Sequence, residues 1–272
     1  MSSVAKRLFL SGAILLQPCL LRAESVAVRY VEGSIHGFLA LRTMENKILA
    51  AGDLVQVVRG NRVTSRLVFR FKDGSVDDET SVFSQSGSFL LISDHHIQKG
   101  PAFPHPTDVW IRASTGQVTV NSTDDDGHAK VDTDHLELPP DVANGILLNI
   151  LKNVRPDTKE TKVSYVAATP KPRLVKLSIT PQGEETFLIA GSHRKATRFV
   201  VRVELGGLTG VIAPLLGKQP ADNNVWIAGG GAPAFVKLEG PLYLGGPILS
   251  IQMTSPVWQQ SEQKRVLAPQ KK

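Results

Sequence analysis

The sequence predicts a mainly β protein in which one large curved antiparallel sheet, a half-barrel, wraps around one central amphipathic helix. The first observation is a succession of short apolar runs punctuated by Gly52-Asp53, Gly60-Asn61, Asp73-Gly74, Ser86-Gly87 and Thr115-Gly116, the pattern of strands joined by tight hairpins. The second is a single segment at helical period, with Val142, Ile146, Leu147, Ile150, Leu151 and Val154 painting one continuous apolar face. The third is that no repeat recurs at a fixed period, which argues against a propeller or solenoid.

The chain opens with Lys6-Arg7, a mostly apolar run over 8–16, and Arg22-Ala23 ahead of Glu24. This is the pattern of a secretory signal peptide over 1–23, cleaved near Ala23. The apolar run is far shorter than the ~20 residues that span a bilayer. A single β-rich domain is expected over 24–256. Its first block proposes strands at 26–31, 35–42, 54–58, 63–71, 76–83, 89–97, 109–111 and 118–120. Leu67, Phe69 and Phe71 alternate with Arg66, Val68 and Arg70, which reads as one buried face and one mostly wet face. The run over 99–106 holds Pro101, Pro104 and Pro106 and is a shaped loop, since proline cannot sit in a central strand. The Asp-rich stretch around Gly127 reads as a solvated hairpin turn.

The helix is expected over 140–154. Pro139 and Pro140 suit a first turn that has no use for its N–H groups, Asp141 complements the positive end of the dipole, and Pro156 stops the element after Lys152 and Arg155. Leu147 and Ile150 belong to its covered face and Asn149 to the opposite, wet side. Strands resume at 163–167, 174–179, 186–189, 197–205, 225–228, 234–238 and 248–253. Between them, 206–220 is apolar but broken by glycines and Pro214, so it is neither regular helix nor regular strand. The polar, basic residues 257–272 form an expected disordered tail.

With 272 residues, 42% of them apolar, the chain can bury a substantial core. Its formal charge of +6 falls by three, to +3, once Lys6, Arg7 and Arg22 leave with the leader. The remaining cations are scattered among acids, so nucleic-acid binding is excluded from the expected functions. Cys19, the only cysteine, lies in the leader, leaving the mature chain without a disulfide or a thiolate nucleophile. No later run is long and apolar enough to form a membrane-spanning helix.

Motifs for catalysis fail on inspection. His95 and His96 are adjacent in a strand, point to opposite faces and cannot share a metal ion, even with His105 nearby. Counting Gly127 as the sixth position of a calcium loop puts Ser122 first and Thr133 twelfth, where Asp and Glu are required. Ser192-His-Arg-Lys195 opens a strand and has no companion motif. The expectation is therefore no catalytic residue, no metal ligand and no cofactor. Two stretches remain as pocket rims or packed connections: the strand end and proline loop over 92–106, and the apolar 206–220 together with 240–247. The expected ligand contacts are Leu208, Val211, Ile212, Leu215 and Leu216, as an apolar flap at one mouth of the sheet, and Tyr243.

A signal peptide, a meander, one proline-led helix and a second run of strands over roughly 26–256 resemble exported proteins of unknown function that share the half-barrel of the LolA/LolB lipoprotein carriers. That resemblance implies a curved sheet around helical structure with an apolar cavity for acyl chains. This chain is longer than the carriers and has one helix where they have several. The expected function is binding or carrying a hydrophobic, lipid-like ligand in the cell envelope, periplasmic or extracellular. The alternative is a non-catalytic structural or interaction protein of the envelope, with a hydrolase third. A carrier requires a partly open apolar cavity, a structural protein a helix that fills the concavity, and an enzyme polar groups converging in a cleft.

Overall fold

The computed structural model describes residues 25–123, 128–168, 171–189, 191–204 and 220–254. The expected signal peptide, the tail, the turn over 124–127 and all five flap residues from Leu208 to Leu216 lie outside the described residues.

The first block of strands comprises β1 (Ile35–Thr43), β2 (Ile48–Arg59), β3 (Arg62–Phe71), β4 (Val76–Ser86), β5 (Ser88–Lys99), β6 (Thr107–Arg112), β7 (Gln117–Thr123) and β8 (Ala129–His135). A helix, α1 (Leu147–Leu151), follows, and then β9 (Thr161–Ala167), β10 (Arg173–Ile189), β11 (Ser192–Glu204), β12 (Asn223–Ala228), β13 (Ala234–Gly240) and β14 (Leu249–Thr254). Each block is an antiparallel meander in which every strand pairs with the next, and β14 closes back on β1. The result is one 14-stranded sheet in the order β8-β7-β6-β5-β4-β3-β2-β1-β14-β13-β12-β11-β10-β9. Its two edges, β8 and β9, are consecutive in the chain, so the connection between them must travel from one edge to the other.

That connection runs through the interior of the curve. Its Val142, Ile146, Ile150, Leu151 and Val154 are buried in one cluster with Val63, Phe83 and Phe89 of the first wing, Ile111 and Val118 beyond them, and Val163, Ile179, Phe199 and Val225 of the second wing. One short segment touching the inner faces of both wings requires the sheet to bend around it. Burying each of these side chains contributes roughly 1.5–3 kcal/mol, which holds the bend. A second cluster, Leu39, Leu41, Ala50, Phe69, Leu249 and Ile251, lies where β1 to β3 meet β14.

The central helix expected over 140–154 is corrected to the five residues of α1. Upstream, the backbone is held by the edge of β9 instead of by its own turns: the Ala143 N–H donates to the Ser164 carbonyl at 2.9 Å and the Ser164 N–H to the Asp141 carbonyl at 3.1 Å. Asn144 clamps the same edge, accepting from the Val166 N–H at 2.8 Å and donating Nδ2 to its carbonyl at 3.1 Å. Gly145 then takes a φ of +64°, a left-handed conformation that a continuous right-handed helix cannot pass through. The apolar period is a true record of burial along an irregular segment, not of helix length.

Asn149 is corrected too: it is buried, and its Nδ2 donates to Gln56 Oε1 at 3.3 Å. The strand expected at 26–31 is no more than a single bridge between Ala27 and Ser88. The separate runs 174–179 and 186–189 belong to the one long strand β10, whose register against β11 shifts between Pro181 and Glu184. Strand β8, exposed except at Asp132, pairs with β7 from Gln117↔His135 to Thr123↔Ala129 on either side of the expected turn.

Candidate functional site

Between the two apolar clusters the concave face keeps a partly open cavity of about 840 Å³, within the roughly 300–1,000 Å³ range of small-molecule sites. Leu39, Leu54, Leu67, Phe69 and Ile251 form one wall, and Leu147 and Leu148 of α1 face it from the interior segment. The room for Phe69 is made at Gly52, its partner across β2 and β3, where a Cβ would stand 2.5 Å from the Phe69 ring.

One strand further along, the lining becomes polar. Side chains two apart share a face of a strand, so Asp77, Glu79 and Ser81 of β4 project together. Across the β4–β5 ladder they stand opposite Gln98, His96 and Asp94 respectively. Leu67 is directly opposite Glu79 and Phe69 opposite Asp77 on the other side of β4, so the apolar wall and this polar panel meet within one strand spacing. Asp77 is fully engaged: Oδ1 accepts from His96 Nε2 at 2.7 Å and Oδ2 from Gln98 Nε2 at 3.1 Å. Gln98 also donates to the Leu242 carbonyl at 3.0 Å, and Ser81 Oγ donates to the Gly145 carbonyl at 3.0 Å. Gly145 is again required, because a Cβ there would lie 2.4 Å from Asp94 Oδ1.

The remaining acids have less. Asp94 is 2% exposed and its Oδ1 has no hydrogen-bond partner. Burial pushes its pKa well above the usual carboxylate range, the nearby charge of Glu79 adds to the rise, and His96 opposes it. Glu79 is raised by burial, countered by His96 and reinforced by Asp77. For His96 burial works downward, but the hydrogen bond to Asp77 and the fields of Glu79, Asp77 and Asp94 outweigh it and raise its pKa to about 9. Tyr165, on β9, lines the cavity from the opposite wing; burial raises its phenol, and Glu79, Asp94 and Asp77 add to the effect.

A second polar network borders the cavity at the start of the described chain. Glu32, buried, takes Lys152 Nζ at 2.5 and 2.6 Å and Gln56 Nε2 at 3.1 Å. Asn153 Oδ1 accepts from the N–H groups of Arg29 and Tyr30, both at 2.7 Å. These bonds pin the strip before β1 to the interior segment.

Of the sequence-derived candidates, Tyr243 lies outside the large cavity and lines a smaller pocket of about 310 Å³ with Phe71, Phe103 and Leu249. Phe103, from the proline loop, meets Tyr243 edge-on at 5.9 Å and Phe71 at 5.5 Å, so the loop over 92–106 packs against the stretch over 240–247. His95 and His96 do point to opposite faces: His95 pairs with Asp108 at 2.8 Å and stacks on Trp110 at 3.6 Å, while His96 faces the cavity. Among the described residues no group of three His, Cys, Asp or Glu side chains is arranged to hold a metal ion. Of the panel, Asp94 and His96 lie in the stretch 92–106 expected as a pocket rim or packed connection, whereas Asp77 and Glu79 lie in no expected site stretch and none of the four is among the expected ligand contacts.

No protein-family model matches this chain, and no curated protein matches it. Among solved structures it is similar to a beta-barrel-like protein of domain of unknown function DUF1849 from Brucella abortus, with a TM-score of 0.46 and 8% sequence identity over 82% of this chain and 96% of that one.

Proposed function

We propose that this protein binds or carries a hydrophobic, lipid-like ligand in the cell envelope, in the manner of the LolA/LolB half-barrel carriers. The observation that carries the reading is the cavity of about 840 Å³ whose wall is built by Leu39, Leu54, Leu67, Phe69 and Ile251. A chain that needed only a core would close these apolar surfaces on each other; among the described residues, α1 and the interior segment pack one part of the concavity and line the other as an open cavity. The leader pattern over 1–23 supports an exported location. The polar panel reads as recognition more than catalysis. His96 is bonded to Asp77 and its pKa is raised to about 9, which disfavours a general-base role, and the Ser81 hydroxyl is committed to the Gly145 carbonyl. Ser164 and Lys176 Nζ lie 2.7 Å apart, but Ser164 is fully buried and donates to Asp141, so no substrate reaches it.

Native mass spectrometry of the mature protein purified from its own host envelope tests the reading. The expected spectrum contains a lipid-sized adduct that organic extraction removes. A bare chain that also takes up no added long-chain lipid speaks for the structural or interaction alternative.

A further inference from the structure

The carrier reading leaves open which amphiphile fits, and the panel bears on that choice. Four ionisable groups meet on it: three acids, Asp77, Glu79 and Asp94, and one base, His96. His96 and Gln98 satisfy both oxygens of Asp77. Glu79 has no side-chain hydrogen bond among the described residues and lines the cavity. Asp94 is buried behind Gly145 with Oδ1 unpartnered. A buried carboxyl oxygen with no partner is costly; Asp94 Oδ1 is one, and on the adjacent strand the half-buried Glu79 faces the cavity.

The cavity's own cations are held elsewhere. Lys152 is held by Glu32, and Arg29 donates Nη1 to the Asn153 carbonyl while lying over the Tyr30 ring at 5.3 Å. A single protonated imidazole therefore faces three acids. Across β4, in register, the apolar wall begins at Leu67 and Phe69. The surface thus has an aliphatic half and an acidic, hydrogen-bond-accepting half one strand apart.

Resting on the carrier reading, we propose that the cavity selects an amphiphile with a protonated amine head, its alkyl tail against Leu39, Leu54, Leu67 and Ile251 and its ammonium group against Glu79. An ammonium group carries three donors and no acceptor, which matches the acceptor surplus of the panel. A carboxylate head would add a fourth acid to a face that already holds three and would bring no donor to it, and an alcohol would supply one donor without the charge. Tyr165 closes the head-group end from the opposite wing. Charge-assisted hydrogen bonds formed out of bulk water are roughly twice as strong as neutral ones, so the head group decides among ligands of equal tail.

The test uses the mature full chain loaded with a neutral environment-sensitive naphthyl dye, displaced at neutral pH by dodecylamine, dodecanol and dodecanoate below their self-association limits. With one tail length, only the head differs. The expected order is amine, alcohol, carboxylate, with the amine effective at about tenfold lower concentration than the alcohol, a factor worth roughly 1.4 kcal/mol. Glu79→Gln, close to isosteric, brings the amine to the alcohol's value and leaves the alcohol's unchanged. Equal displacement by all three, or a preference for dodecanoate, overturns the head-group proposal while the carrier reading stands, and so does an amine preference that survives in a folded Glu79→Gln chain. If the dye and all three amphiphiles fail to bind, the carrier reading fails and this proposal with it. The wild-type order decides even if the variant does not fold.

Discussion

At Asp94 a carboxyl oxygen is buried without a partner, and burial raises its pKa well above the usual carboxylate range. The same bias runs across the panel, since the pKa values of Glu79, Asp94 and His96 are all raised. A group whose folded value lies above its unfolded value stabilises the fold fully below the unfolded pKa, and that stability is lost as pH rises through the folded value. For His96 the window runs from the ordinary 6.5 to about 9; for Glu79 and Asp94 it begins at 4.5 and 3.8 and extends upward. On the outer surface Asp73, Asp78 and Asp157 are lowered by hydrogen bonds to Ser75, Arg66 and Arg155 respectively, so their contribution is lost only as pH falls below the ordinary carboxylate range. The thermal unfolding midpoint should therefore be highest at about pH 4 to 4.5 and decline as the pH rises toward about pH 9. A midpoint that rises over that alkaline range would contradict the protonated panel. Asp94→Asn, which removes the ionisable group at nearly constant shape, should raise the midpoint at about pH 8 and change it little at about pH 3, below the ordinary Asp value; differential scanning calorimetry at the two pH values checks this.

At the scale of the element, the segment from Pro139 to Val154 holds the fold together and also shapes the site. Ile146 and Leu151 are fully buried, so alanine at either should cost about 2–5 kcal/mol in a denaturant titration. Leu147, which faces the cavity and is only partly buried, should cost clearly less. Gly145→Ala combines a φ of +64° with a Cβ 2.4 Å from Asp94 Oδ1, and should destabilise by on the order of 1–3 kcal/mol or more; an unchanged midpoint would mean that the panel is not seated against this turn. The segment also marks where sequence reading succeeded and failed. The spacing of Val142, Ile146, Ile150, Leu151 and Val154 correctly marked a buried face, because burial sets that pattern whether or not the backbone is helical. The helix boundary failed because Asp141, Ala143 and Asn144 find partners on β9, a contact between distant parts of the chain. Asn144-Gly145 is a turn dipeptide, and that signal was outweighed by the apolar period around it. Likewise Asp77, Glu79, Ser81 and Asp94, His96, Gln98 each alternate at period two. The opposite faces of those strands carry Asp78, Thr80, Ser93 and His95, so polarity alone did not tell the concave face from the convex one.

Over the whole molecule, short hairpins join most neighbours of the two meanders, and those were legible as apolar runs between turn residues; the connections over 100–106, 205–222 and 241–248 are longer. The pairing of β1 with β14, from Phe38↔Thr254 to Thr43↔Leu249, joins strands some two hundred residues apart and leaves no local trace; neither does the return of the β8–β9 connection through the interior. Those two long-range features are what bend fourteen strands into one concave surface and leave a cavity between its two apolar clusters. Export is expected on the leader pattern alone: N-terminal sequencing of the envelope or secreted fraction should begin near Glu24, and an intact Met1 in the cytoplasm would contradict it. The central claim is that this cavity takes an apolar ligand, and its most direct measurement is an equilibrium titration of a neutral fluorescent apolar probe into the wild type and into Leu67→Trp, whose added indole projects into the void beside Glu79. Saturable binding of about one probe per chain is expected, weakened by about tenfold or more in Leu67→Trp at an unchanged unfolding midpoint. No saturable binding by the wild type, or equal binding by both proteins, would contradict it.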